Sequence, residues 1–229
     1  MSAEPRGLTR QQMCDRLAME FEDGWIVNLG VGIPTLCSNY DFGDRLVIFH
    51  SENGVIGYGP LAPRGQEDAH LTNAGAQHVT LNLGAAIVHH ADAFAMIRGG
   101  RIDATVLGAY EVAANGDFAN WRMLGQKGGG IGGAMDLAVG AKHVFIVMEH
   151  TTRDNQPRLV QSCALPLTAP GVVTLVATNY GLFEPKGDRF LLREIAPDIE
   201  LAEVSKTTGT ELIVPPDLRP VRLRSRQQR

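Results

Sequence analysis

Leu46-Val-Ile-Phe-His50 runs without a break into Ser51-Glu52-Asn53-Gly54. Five residues rich in branched and aromatic side chains read as a buried strand, and Asn53-Gly54 is a turn signal. Glu52 therefore stands just past the carboxyl end of a strand, in a fixed turn rather than on a mobile arm. In open α/β sheets that edge is where ligands bind. The same arrangement occurs upstream. Trp25 to Leu29 is a short apolar strand broken by Gly30-Val31-Gly32-Ile33-Pro34. Its glycines expose successive N–H groups that can gather around an oxyanion or a phosphate, or simply make a tight turn.

Outward from these two loops, the chain alternates. Thr9 and Gln12 fit a capping box, and Met13, Leu17 and Phe21 recur at helical spacing, so a first helix is expected to end before Gly24. Further strands are expected at 78–83, 104–108, 143–148, 158–163, 172–177 and 189–194, and helices at 90–97, 133–141 and 198–207. This alternation predicts an α/β fold, an open and mostly parallel sheet flanked by helices. Strands after about 158 have fewer helices between them, which predicts some antiparallel pairing late in the chain. One domain is expected over residues 1–218. The last eleven residues hold Arg219, Arg222, Arg224, Arg226 and Arg229. They read as a basic, disordered tail, with a contact to phosphates as the alternative.

Composition narrows the function. The 229 residues are 44% hydrophobic, enough for a full core, and 21 basic against 25 acidic side chains give a formal charge of −4. That balance argues against a general nucleic-acid binder. Cys14, Cys37 and Cys163 are far apart and form no Cys-x-x-Cys pair, which suggests a reducing compartment. No apolar signal core or membrane-length apolar run is present, so the expected location is the cytoplasm.

Glycine is the unusual count. Twenty-six glycines make up about 11% of the chain against a typical ~7%, and they cluster, most densely at 125–133. Gly128, Gly130 and Gly133 satisfy Gly-x-Gly-x-x-Gly. Leu124 to Lys127 ahead of them is no strand, however, and no ribose-binding acid follows, so the dinucleotide reading does not fit. A glycine loop opening onto a helix at Gly133 still suits an anionic cofactor. His89-His90 reads as a helix start or core pair rather than a metal site, because sequence neighbours do not share a helix face. Cys163 with a histidine base is a further option, without a local motif behind it.

Six blocks occur in order: Asn28–Pro34, Ser51–Gly54, Leu71-Thr-Asn-Ala-Gly75, Phe94-Ala-Met-Ile-Arg-Gly-Gly100, Asp117-Phe-Ala-Asn-Trp121 and Gly132-Gly-Ala-Met-Asp-Leu137. Together they resemble the beta subunit of the family I CoA-transferases, the group that includes succinyl-CoA:3-oxoacid and 3-oxoadipate CoA-transferases. The resemblance spans essentially the whole chain short of the basic tail. It implies that Glu52 is the nucleophile attacking a donor thioester and that Asn28 lies at the active site, with Gly30, Gly32 and Asn53 in the loops around the oxyanion. It also implies that Asn120, Gly132, Gly133 and Ala134 line the site for coenzyme A, a cosubstrate rather than a bound cofactor. A companion alpha subunit is implied, in a heterodimer or a heterotetramer. Acyl-CoA and carboxylic acids are the implied substrates, with neither nucleic acid nor membrane as a partner. One departure stands out. Relatives often carry lysine after Asn-Ala-Gly where this chain has Ala76, so Lys127 or an arginine would have to replace that cation. His89-His90-Ala-Asp92 and Ala138–Lys142 lean toward the 3-oxoadipate branch. Two rival readings stay open: a CoA-ester hydrolase of the same fold, and a non-catalytic ligand-sensing α/β domain.

Overall fold

This computed structural model describes residues 6–125 and 130–223. Its strands are β1 (Ile26–Leu29), β2 (Ile48–His50), β3 (Val55–Leu61), β4 (Val79–Ile87), β5 (Ala104–Leu107), β6 (Glu111–Ala113), β7 (Phe118–Ala119), β8 (His143–Met148), β9 (Leu159–Val160), β10 (Val173–Thr178), β11 (Gly181–Pro185), β12 (Phe190–Ile195), β13 (Leu212–Ile213) and β14 (Arg219–Pro220). The helices are α1 (Arg10–Ala18), α2 (His90–Arg98), α3 (Ala134–Gly140) and α4 (Leu201–Thr207), with a 3-10 helix over Ile33–Asn39.

The large sheet runs in the order β13-β12-β11-β10-β8-β5-β1-β2-β3-β4, with β14 beside β12. Its centre, β2-β1-β5-β8-β10, is parallel throughout. Strands buried on both faces read as unbroken apolar runs, and β5 and most of β8 are fully covered. Strand order reverses at β1. The chain steps from β1 to β2 on one side, then returns to β5 on the other, which opens a crevice at the carboxyl ends. The expected fold class holds, with the antiparallel part distributed differently. Besides the late pairs β10–β11 and β11–β12, an early antiparallel ladder joins β2, β3 and β4. The expected strand at 158–163 shrinks to Leu159–Val160 and leaves the main sheet. It joins β6 and β7 in a small sheet of order β7-β6-β9.

The capping box at Thr9 is present in both directions, with Thr9 Oγ1 accepting from Gln12 N and Gln12 Oε1 from Thr9 N. Helix α1 ends earlier than its apolar spacing suggests, at Ala18, although Phe21 is still fully buried. Arg16, itself almost inaccessible, ties α1 to the far side of the sheet. Its guanidinium bonds Glu194 at 2.8 Å through both Nε and Nη2, and Glu20 at 2.6 Å. Helices α2 and α3 pack closely because Gly140 lies against the Ile97 carbonyl, where a Cβ would collide. The basic segment enters the fold further than expected. Arg219-Pro220 pairs with Glu194-Ile195, and Val221 is buried, so residues 219–221 belong to the domain. Arg224, Arg226 and Arg229 lie outside the described residues. Among the described residues no helix is long and apolar enough to cross a membrane.

Candidate active site

The parallel register places His50 of β2 beside Asn28 of β1, and Thr105 of β5 on its other side. One rung across three strands therefore carries three polar side chains, all completely buried. Asn28 is central. Its Nδ2 lies 3.1 Å from Glu52 Oε2, 3.2 Å from the His50 carbonyl and 3.1 Å from His50 Nδ1. A carboxylate and a carbonyl only accept, so the amide nitrogen is the atom that must face them. With an amide donor against Nδ1, His50 accepts there and carries its proton on Nε2. Burial lowers the His50 pKa, against smaller opposing pulls from the Ala93 carbonyl and the Glu52 carboxylate. The ring is neutral at pH 7. The Ala93 backbone is the one group acting on the ring there, and Nε2 makes no hydrogen bond of normal geometry.

The turn that carries Glu52 is closed by Ser51 N donating to Val55 O (2.9 Å) and Gly54 N to Ser51 O (3.0 Å). Gly54 has φ +108°, and a Cβ there would strike the Val88 carbonyl. Val88 N in turn donates to Gly54 O at 2.9 Å. Only glycine lets this turn lie flat against the chain entering α2. Asn53 faces outward: it is exposed, and its Nδ2 donates to Thr72 O at 2.8 Å. It clamps the turn from outside and does not reach the cavity.

That cavity, of about 730 Å³, opens at the strand-order reversal and is lined by Glu52, Gly30, Asn120, Gly132, Gly133 and Ala134, together with Leu107 and Gly108 at the end of β5 and Met148 and Glu149 at the end of β8. Gly32 shapes the loop from behind, with φ +90° and its carbonyl accepting from Thr35 Oγ1 at 2.7 Å. Asn120 is already anchored, its Nδ2 donating to Gly108 O (3.0 Å) and its Oδ1 accepting from Thr168 Oγ1 (2.7 Å). Gly133 lies against the Glu52 side chain; a Cβ on it would sit 3.2 Å from the Phe94 ring and 3.8 Å from Glu52 Cγ. The other charged side chains on the wall are Glu149, Arg10, Arg153 and Arg158. Arg10 pairs with Glu149 at 3.0 Å, which leaves positive charge in excess away from Glu52 and suits an anionic ligand.

Five buried side-chain polar atoms lack a partner among the described residues: Asn28 Oδ1, His50 Nε2, Ser51 Oγ, Thr105 Oγ1 and Arg158 Nε. Folded proteins leave few such atoms. Here all five lie in the cavity wall, in the turn that carries Glu52 or in the rung beneath it. The coenzyme A transferase family model matches residues 10–207.

This chain belongs to the coenzyme A transferase family.

It is 46% identical over 208 residues to the beta subunit of 3-oxoadipate CoA-transferase from Pseudomonas putida, covering 90% of this chain and 97% of that one. It is 42% identical over 214 residues to the mitochondrial succinyl-CoA:3-ketoacid coenzyme A transferase 2 of Homo sapiens, covering 93% of this chain but 41% of the human protein. Among solved structures, an acyl-CoA transferase apoenzyme of Escherichia coli O157:H7 superposes with a TM-score of 0.72 at 20% identity, covering 96% of this chain and 44% of that one. That last likeness concerns the fold alone.

Within this transferase fold the structure gathers Glu52, Asn28, Gly30, Asn120, Gly132, Gly133 and Ala134, and turns Asn53 away. Gly128 of the glycine-rich pattern and Lys127 lie outside the described residues. Ala76 adopts φ +57° in a turn wrapped around buried Asn73, whose Oδ1 accepts from Gly75 N and Gln77 N. Cys163 is off the cavity wall, and burial, followed by Glu111 and Asp117, pushes its thiol up to about 12. A thiol that stays protonated is no nucleophile. Sequence reasoning missed Thr105 and Arg158, and it read His50 only as part of an apolar strand. Their meaning depends on strand register and tertiary burial, which no local spacing encodes.

Proposed function

We propose that this chain is the nucleophile-bearing subunit of a CoA-transferase that moves CoA from succinyl-CoA to a 3-oxo acid such as 3-oxoadipate or acetoacetate. The observation that carries this reading is the Glu52 carboxylate, presented to the cavity by a closed turn and held at 3.1 Å by the buried Asn28 amide. The activities for which its relatives are named supply the substrate class.

The chemistry follows from that placement. A Glu52 carboxylate oxygen attacks the thioester carbonyl carbon, and the C–S bond breaks to leave an acyl-glutamyl anhydride and CoA thiolate. The thiolate then attacks the glutamyl carbonyl, forming a glutamyl-CoA thioester and releasing the donor acid as its carboxylate. An acceptor carboxylate runs the two steps in reverse. Negative charge develops on the glutamyl oxygen each time its carbon becomes tetrahedral, and Asn28 Nδ2 is a donor already placed at that oxygen. Removing one donor of this kind typically lowers the rate 100- to 1000-fold. Water must be kept from the anhydride, and a companion chain closing over the cavity mouth would provide that cover.

The test uses the enzyme assembled from both of its chains. Incubation with acyl-CoA followed by borohydride should mark the peptide containing Glu52, detected by mass; a mark elsewhere refutes the assignment. Glu52→Gln should abolish transfer, by about 10⁴-fold or more, with the assembly intact. Release of CoA from acyl-CoA at the same rate with and without acceptor acid would favour the hydrolase reading instead.

A further inference from the structure

Arg158 is the one charged side chain among the five unpartnered groups. Its Nε is inaccessible and bonds nothing, and the sole side-chain hydrogen bond it makes among the described residues is a long one, Nη1 to the Ala109 carbonyl at 3.5 Å. None of the acids among the described residues forms an ion pair with it, whereas Arg16 is satisfied on three sides and Arg10 has Glu149. The guanidinium therefore keeps most of its N–H donors unspent, with one of its nitrogens shut off from solvent. It lines the same cavity as Glu52. Its position is not accidental slack: Arg158 N donates to His150 O at 3.2 Å, and Arg158 O accepts from Val112 N at 2.9 Å. The backbone is thus pinned between the end of β8 and the small sheet, and the side chain projects from a rigid base.

We infer that Arg158 is the seat for a second negative group of the substrate, remote from the reacting thioester. Resting on the transferase reading above, this identifies the donor as an anion at two points. The seat takes an oxyanion, either a terminal carboxylate on the acyl chain or a phosphate of CoA. A planar fork of N–H donors suits either.

The assembled enzyme is compared as wild type, Arg158→Gln and Arg158→Lys. Calorimetry measures CoA binding, and kinetics compare succinyl-CoA with propionyl-CoA, which lacks the terminal carboxylate. Arg158→Gln should raise KM, or the dissociation constant, about 10- to 100-fold for the ligand bearing the seated group, with Arg158→Lys recovering part of the loss. A penalty confined to succinyl-CoA assigns the acyl carboxylate. An equal penalty for both esters and for CoA itself assigns a phosphate. Unchanged constants in all three comparisons overturn the seat. Should the glutamine variant fail to assemble, wild-type crystals soaked with CoA or with succinate decide: an anionic oxygen within about 3 Å of the guanidinium is expected, and ligands ordered without any group there refute it. Calorimetry needs no turnover, so a wrong nucleophile assignment would leave it readable. Full transfer insensitive to Arg158 would sink the seat alone.

Discussion

His50 and His150 are both completely buried, and they are buried differently. His150 sits between two hydroxyls, with Nδ1 3.0 Å from Thr178 Oγ1 and Nε2 3.2 Å from Thr208 Oγ1, stacked on Tyr180 at 4.7 Å. Every polar atom of its ring is occupied from within the chain. His50 spends Nδ1 on the Asn28 amide and makes no full hydrogen bond through Nε2, in a rung where Asn28 Oδ1 and Thr105 Oγ1 make none either. Buried polar groups that are fully satisfied specify structure, and partly satisfied ones mark where structure is held open for something else. His150 belongs to a joint between β8, β10 and the end of α4, and His50 to the support of the carboxylate proposed to react.

The largest effect that would break this contrast comes from Asn28→Ala. It should lower kcat/KM by 100- to 1000-fold while leaving the melting transition cooperative. A variant that merely unfolds, with normal activity in its folded fraction, would reduce the rung to ordinary scaffolding. Next comes acid. Burial lowers the His150 pKa to about 4, so below the unfolded value near 6.5 the unfolded chain takes a proton that the native one refuses. Stability is unaffected above pH 6.5 and falls as pH drops from there toward 4, by about 3 kcal/mol in all. Denaturant titrations across that window should show the fall, and His150→Leu should flatten it; a curve that keeps its slope in the variant assigns the effect elsewhere. The smallest effect on stability, and the sharpest test of the contrast, is His50→Leu. The Asn28 amide has two hydrogens and still faces the His50 backbone carbonyl and Glu52, so no donor is stranded. Stability should change by within about 1 kcal/mol, yet transfer should slow roughly tenfold as the amide loses one of its orienting neighbours. Unchanged kinetics would make both histidines structural.

The sequence made the parallel centre visible because strands covered on both faces leave unbroken apolar runs, as in Ala104–Leu107 and His143–Met148. It hid β3, since Val55–Leu61 contains Gly57, Gly59 and Pro60 and looks like a loop; the strand survives because its neighbours β2 and β4 supply the ladder. It overextended α1, where apolar spacing continues to Phe21 after the backbone has left the helix. Glu52 and the glycine loops were legible as turns at strand ends, since turn chemistry is local. The rung was not. His50 and Thr105 are 22 and 77 positions along the chain from Asn28, and only the β2-β1-β5 register brings the three side by side. Arg158 is a lone arginine after a proline, distinguished by nothing until its surroundings are known.

Gly133 has a meaning beyond loop flexibility. A methyl at that position would press on the Phe94 ring at 3.2 Å and stand 3.8 Å from Glu52 Cγ, so only hydrogen leaves both side chains where they are. In the proposed mechanism the glutamyl carbon grows from three substituents to four, one of them sulfur, and crowding from such a methyl would fall on that step.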